Sequence, residues 1–135
     1  MFLISEGIGK SFDEAMDALA MDSGVPAVWS PPCDLFETAS AFTLKAEVPG
    51  ISLDGIVLEV VGDSITLAGE RRGGEDTKTV SYHRMERTAG KFIRVFRLSQ
   101  AVDEDKVLAT LKDGLLTVIM PKKDSSAPKK VEING

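Results

Sequence analysis

Phe42-Thr43-Leu44-Lys45-Ala46-Glu47-Val48-Pro49-Gly50 is the run that decides the architecture. Phe42, Leu44, Ala46 and Val48 are apolar, and the residues between them are polar. Successive side chains of an extended chain point to opposite faces, so this alternation describes a strand with one dry face and one wet face. Pro49-Gly50 ends it, because proline lacks an amide donor and glycine accepts turn conformations that other residues avoid. The same period recurs on both sides of this run. Ile56, Leu58 and Val60 keep it, followed by Ile65 and Leu67, by Phe92 to Leu98, by Val107, Ala109 and Leu111, and by Leu116, Val118 and Met120. Gly62-Asp63, Gly73-Gly74 and Asp113-Gly114 supply turn chemistry between them. Many short strands with no strong intervening helix predict an all-β protein, an antiparallel immunoglobulin-like β-sandwich.

Texture and charge divide the 135 residues into an arm, a domain and a tail, expected at 1–30, 31–121 and 122–135. The arm carries five acids and one lysine, the domain fourteen acids and eleven bases, and the tail two acids and four lysines. One short helix is expected in the arm. Ser11-Phe12-Asp13-Glu14 reads as a capping box, with Phe12, Met16 and Leu19 then at i, i+4 and i+7 and with Gly24 and Pro26 as stops. A helix of about ten residues is marginal alone and needs a surface to lie against. The tail, rich in Lys, Ser, Ala and Pro, cannot build a core and is expected to stay extended. Arg71 to Lys91 breaks the rhythm of the domain. This stretch is long for a hairpin loop and turns strand-like at Val80-Ser81-Tyr82-His83-Arg84-Met85, where it can pair with a neighbouring chain.

Composition narrows the function by exclusion. A formal charge of −5 gives no global electrostatic case for nucleic-acid binding. Arg84, Arg87, Lys91, Arg94 and Arg97 form a local basic run, but Glu86 interrupts it. One His and one Cys cannot make a zinc site without carboxylates of unknown position, and Asp103-Glu104-Asp105 reads as a solvated turn. Gly73-Gly74 lacks the spacing of a phosphate-cradling loop. No cofactor, no metal and no catalytic constellation is expected. The apolar runs are strand-sized, so no membrane span is expected. Met1 to Gly7 has no basic leader, and the lone Cys33 suits a reducing compartment, so a cytoplasmic protein is expected.

Arg94 stands out. It falls in phase with Phe92, Phe96 and Leu98, on the apolar face of its strand. A guanidinium there is either paired at an interface or snorkels to water, because an unpaired buried charge is very costly.

These residues together resemble a family. Cys33 to Thr38 and the following Phe42 to Gly50 are similar to the opening strands of the α-crystallin domain of small heat-shock proteins, in the bacterial and plant style. Ile65-Thr66-Leu67-Ala68-Gly69-Glu70-Arg71 resembles the strand before that family's dimerisation loop, and Tyr82 to Arg87 with Gly90 to Leu98 resembles the loop strand and the arginine-bearing strand. Ala109-Thr110-Leu111-Lys112-Asp113-Gly114-Leu115-Leu116 is close to the signature Ala-x-x-x-Asn-Gly-Val-Leu.

The resemblance implies an ATP-independent holdase that binds unfolding client proteins and assembles as a multimer of dimers. It also implies a strand-exchanged homodimer, with Tyr82, Arg84, Glu86 and Arg94 expected at the interface. Val131 and Ile133, one residue apart in the tail, match the family's docking motif. The strands at 56–61 and 107–111 then offer Leu58, Val60 and Leu111 as groove walls. Phe2, Leu3, Ile4, Phe12, Met16, Leu19, Met21 and Trp29 supply apolar surface for clients, with adaptable methionines, or equally for packing inside an assembly. A monomeric sandwich co-chaperone and a structural interaction module remain the alternatives.

Overall fold

The structure, a computed structural model, describes residues 2–4, 29–73 and 78–123. It consists of strands β1 (Phe2–Ile4), β2 (Cys33–Glu37), β3 (Ala41–Glu47), β4 (Ile56–Val61), β5 (Ser64–Arg71), β6 (Gly90–Arg97), β7 (Leu108–Lys112) and β8 (Leu115–Pro121). Single 3₁₀ turns at Leu53–Gly55 and Glu104–Lys106 are the helical pieces among the described residues. One sheet has the order β1-β4-β5-β6 and the other β2-β3-β8-β7, with every pairing antiparallel. This is the sandwich that the alternation predicts. The expected arm helix and the tail motif lie outside the described residues.

The dry faces meet as the period of two requires. Phe42, Leu44 and Ala46 of β3 pair with Met120, Val118 and Leu116 of β8, and all six are buried. Ile56, Leu58 and Val60 of β4 face Gly69, Leu67 and Ile65 of β5 in register, and each of them is fully enclosed. A fully buried side chain of this size contributes about 1.5–3 kcal/mol, so these rows hold the two sheets together. Gly69 is a packing requirement. A Cβ there would meet the Gly55 carbonyl oxygen at 2.5 Å and the Phe92 ring at 2.7 Å.

Two hairpin details fix the register. Asp113 and Gly114 both have positive φ, 53° and 78°, which suits the tight two-residue turn between β7 and β8. Glu104 accepts a 2.7 Å hydrogen bond from the Gly62 amide at the β4–β5 turn, tying the Glu104–Lys106 turn to the opposite sheet.

Two features differ from the alternation. Phe2–Ile4 is a strand, whereas the sequence reading assigns it only to an apolar arm. Residues 80–87 carry no strand within the chain, and every residue from 78 to 88 is exposed. Among the described residues that segment has no sheet neighbour, so its backbone lacks the ladder that would define a strand.

Candidate assembly and docking surfaces

The edge of β4 is the first surface. Leu58 and Val60 point inward and are fully buried, while Leu111 and Ala109 of β7 are partly buried and pack on the same core. The strand β1 lies along this edge, with Phe2 opposite Val60, Leu3 opposite Glu59 and Ile4 opposite Leu58. Phe2 packs against the core cluster. Leu58, Val60 and Leu111 thus all belong to or pack on the one core, and a piece of the chain itself pairs with β4 along Leu58 and Val60. Sequence reasoning misses this strand. Its only signal is three consecutive apolar residues, too few to show a period.

Arg94 marks the second surface. Its position opposite Leu67 in β5 confirms the inward phase. Its Nη1 donates to the Pro31 carbonyl oxygen at 3.0 Å and to Ser30 Oγ at 3.3 Å, and its guanidinium lies 5.0 Å from the Phe96 ring centroid. The charge is thus half-buried and partnered by a carbonyl and a hydroxyl just ahead of β2. Cys33 is close by, with its Sγ donating to Pro31 oxygen at 3.4 Å. Burial pushes the Cys33 thiol above its ordinary pKa, with Arg94 opposing that shift and Asp34 adding to it. A raised thiol pKa is the reverse of what a reactive cysteine needs.

Trp29 is packed in the core. Its ring meets Phe92 edge-on at 4.7 Å, and the Arg71 guanidinium covers it at 4.3 Å. Arg71 also donates from Nε to the Thr88 carbonyl oxygen at 2.8 Å and from Nη2 to Thr88 Oγ1 at 2.7 Å. The far end of the long loop is thereby pinned to the sandwich. Within the loop, Tyr82 is exposed, and Arg84 and Glu86 form an ion pair at 3.0 Å with both side chains in solvent. Such a pair adds little stability, so both charges can re-partner at small cost. Phe12, Met16, Leu19 and Met21, like Val131 and Ile133, lie outside the described residues.

One apolar row was not expected. On the outer face of the second sheet, Phe36 pairs with Thr43, Thr43 with Ile119 and Ile119 with Leu108. Phe36, Ile119 and Leu108 are 46%, 41% and 66% exposed, so three large side chains cross the sheet in water.

The Hsp20/alpha crystallin family pattern matches residues 34–134, which takes in the sandwich and the tail. The chain belongs to the Hsp20/alpha crystallin family. It is 34% identical over 137 residues to a 17.4 kDa class I heat shock protein of Oryza sativa subsp. japonica, covering 99% of this chain and 85% of that one. Among solved structures, heat shock protein 16.0 from Schizosaccharomyces pombe is similar at a TM-score of 0.68 and 27% identity, covering 76% of this chain and 94% of that one. A small heat-shock protein from Xylella fastidiosa, whose crystal structure reveals a distinct high order structure, is similar at a TM-score of 0.67 and 29% identity. That likeness covers 81% of this chain and all of the Xylella chain, 100%. Among the described residues of this small heat-shock family member, no helix is long and apolar enough to cross a membrane.

Proposed function

We propose that this protein is an ATP-independent holdase chaperone, which binds unfolding clients before they aggregate and assembles as a multimer of dimers. The observation that carries the reading is the occupied edge of β4. There β1, a short run of apolar sequence in extended form, pairs with β4 along Leu58 and Val60, two of the three residues proposed here as groove walls with Leu111. Unfolding proteins present the same material, apolar side chains on extended backbone. Their association is driven by removing apolar surface from water, at about 25 cal/mol per Å².

The dimer forms by exchange of residues 80–87. Among the described strands β2 has one neighbour, β3, so its outer edge is open to a strand from another copy. Arg94 reaches Ser30 and Pro31, immediately before β2. A strand laid along β2 brings a carboxylate within range of this guanidinium, which has donors to spare, and Glu86 of the partner subunit is the first choice. Tyr82 and Arg84 travel on the same segment. Clients are held by the apolar arm through Phe12, Met16, Leu19 and Met21, and dimers are linked by Val131 and Ile133. The protein acts in the cytoplasm and uses neither cofactor nor catalysis.

Light scattering of a heat-unfolding client, with no nucleotide present, tests the reading. The protein is expected to suppress the rise in scattering at about one subunit per client. An unchanged rise, together with a monomeric solution mass, supports the co-chaperone or structural module instead.

A further inference from the structure

We infer that the outer face of the first sheet, at the Val57–Ala68 row, is the seat of arm residues 5–28 of the same chain. The inference stands apart from the holdase reading, since it concerns where the arm lies in a subunit that holds no client.

β4 opens with Ile56-Val57-Leu58, three apolar residues in succession. A sheet with one wet face alternates apolar with polar residues, and an unbroken apolar run belongs to a strand covered on both faces. Ile56 and Leu58 point into the core, so Val57 points outward. Beside it in register stand Ala68 of β5 and then Ile93 of β6. Val57 and Ala68 are nonetheless as fully enclosed as the core, at 0% exposure, and neither belongs to the core cluster. Ile93 at the far end of the row is exposed, and so is Val95 two residues along the same strand.

A cover therefore lies over the β4–β5 part of the row and leaves β6 open. The described strands do not supply it. β1 lies beside β4 in the same sheet, and the second sheet packs on the inward face. The Gly55 carbonyl, from the turn ahead of β4, meets the inward side of Gly69.

The course of the chain names the occupant. With Phe2 opposite Val60 and Ile4 opposite Leu58, the chain runs on toward Val57, so the arm leaves β1 at the level of this row. The described chain resumes at Trp29, whose ring packs on Phe92, the residue before Ile93. The arm thus begins on the β4 side of the row and ends on the β6 side. Those strands are two spacings apart, about 10 Å, which about three extended residues cover. Residues 5–28 have length to spare, and their sequence is rich in apolar residues. The other segments start elsewhere. The tail follows Lys123, whose amide donates to the Ala101 carbonyl oxygen at 3.0 Å, and the Val102 amide donates to Gly62 at 2.9 Å, at the opposite end of β4. Residues 74–77 lead into 78–88, which is exposed throughout. A subunit without its arm then presents Val57, Ala68, Ile93 and Val95 as one apolar patch.

The test uses the full chain with Cys33→Ser and Ile93→Cys, which places a single thiol at the exposed end of the row. A benzophenone maleimide is attached there and irradiated, and the cross-linked peptides are identified by mass spectrometry. The expected product keeps the mobility of one subunit on a denaturing gel and joins position 93 to a peptide within residues 5–28. Cross-links confined to the sheet or reaching the tail overturn the assignment, as does a product with the mobility of two subunits. A second measurement reads the cover itself. Maleimide labelling of the full chain with Cys33→Ser and Ala68→Cys is expected to be at least about tenfold slower than that of the Ile93→Cys chain, since a thiol reacts only where the reagent reaches it. Equal rates show an open face and overturn the seat.

Discussion

At the scale of single residues, three side chains carry contrasting lessons. Gly69 sits where the first sheet crosses Gly55 and Phe92, with no space for a Cβ. Gly69→Ala is therefore expected to lose about 1–3 kcal/mol, the usual cost of overpacking, read as a lower denaturation midpoint at unchanged slope. The sequence gives no hint of this, because a glycine inside an alternating run looks like any other small residue. Arg94 was legible, since a charge in phase with Phe92 and Phe96 asks for a partner. Its in-chain partners, the Pro31 carbonyl and Ser30 hydroxyl, were not legible, because nothing local joins residues 30 and 94. Arg94→Ala strips the Pro31 carbonyl of a charged donor and is expected to cost the subunit about 1–3 kcal/mol. Loss of dimer beyond that, seen on dilution, tests the pairing with Glu86 of the partner subunit. Cys33 has its thiol pKa raised by burial, so its thiolate fraction near neutrality is below that of a free cysteine. Alkylation of the folded protein is expected to be slow at pH 7 and to accelerate only at a pH above that of a free thiol. A rate equal to that of an unfolded control at pH 7 contradicts this.

At the scale of elements, the central strands were readable because alternation and turn chemistry agree within each of them. The hairpin at Asp113-Gly114 is the clearest case, with both residues in the left-handed region that this dipeptide favours. β1 was hidden because its identity depends on a partner, β4, more than fifty positions along the chain. The segment 80–87 shows the opposite problem. Its composition is strand-like, yet a strand needs a ladder, and the described residues offer none to it. Deleting residues 76–88 is expected to turn the dimer into a folded monomer. Sedimentation of the shortened protein decides it, and a shortened protein that still sediments as a dimer moves the interface elsewhere.

At the scale of the whole molecule, the sandwich is a scaffold for edges. One edge holds β1, another, on β2, has no neighbour among the described strands, and the segments proposed to link copies lie in the loop and the tail. Burying Val131 and Ile133 is worth at most about 3–5 kcal/mol, and ordering the tail takes back much of that. Single contacts therefore exchange, while many contacts in one closed assembly persist. Val131→Gly with Ile133→Gly is expected to leave a folded dimer and abolish larger species, and a solution mass equal to the parent's removes the tail from assembly. Removing residues 1–24 is expected to shrink the assembly and weaken client protection. Full protection by that truncated protein places client binding on the exposed row of Phe36, Leu108 and Ile119. On the proposed function, this chain alone keeps an unfolding protein soluble. Its most direct test heats a client with the protein in the absence of nucleotide, pellets the aggregates and runs the supernatant on a sizing column with in-line light scattering. The client is expected to remain in the supernatant and to elute with the protein as a joint complex larger than either partner. A client that pellets as fully as it does alone contradicts holdase activity.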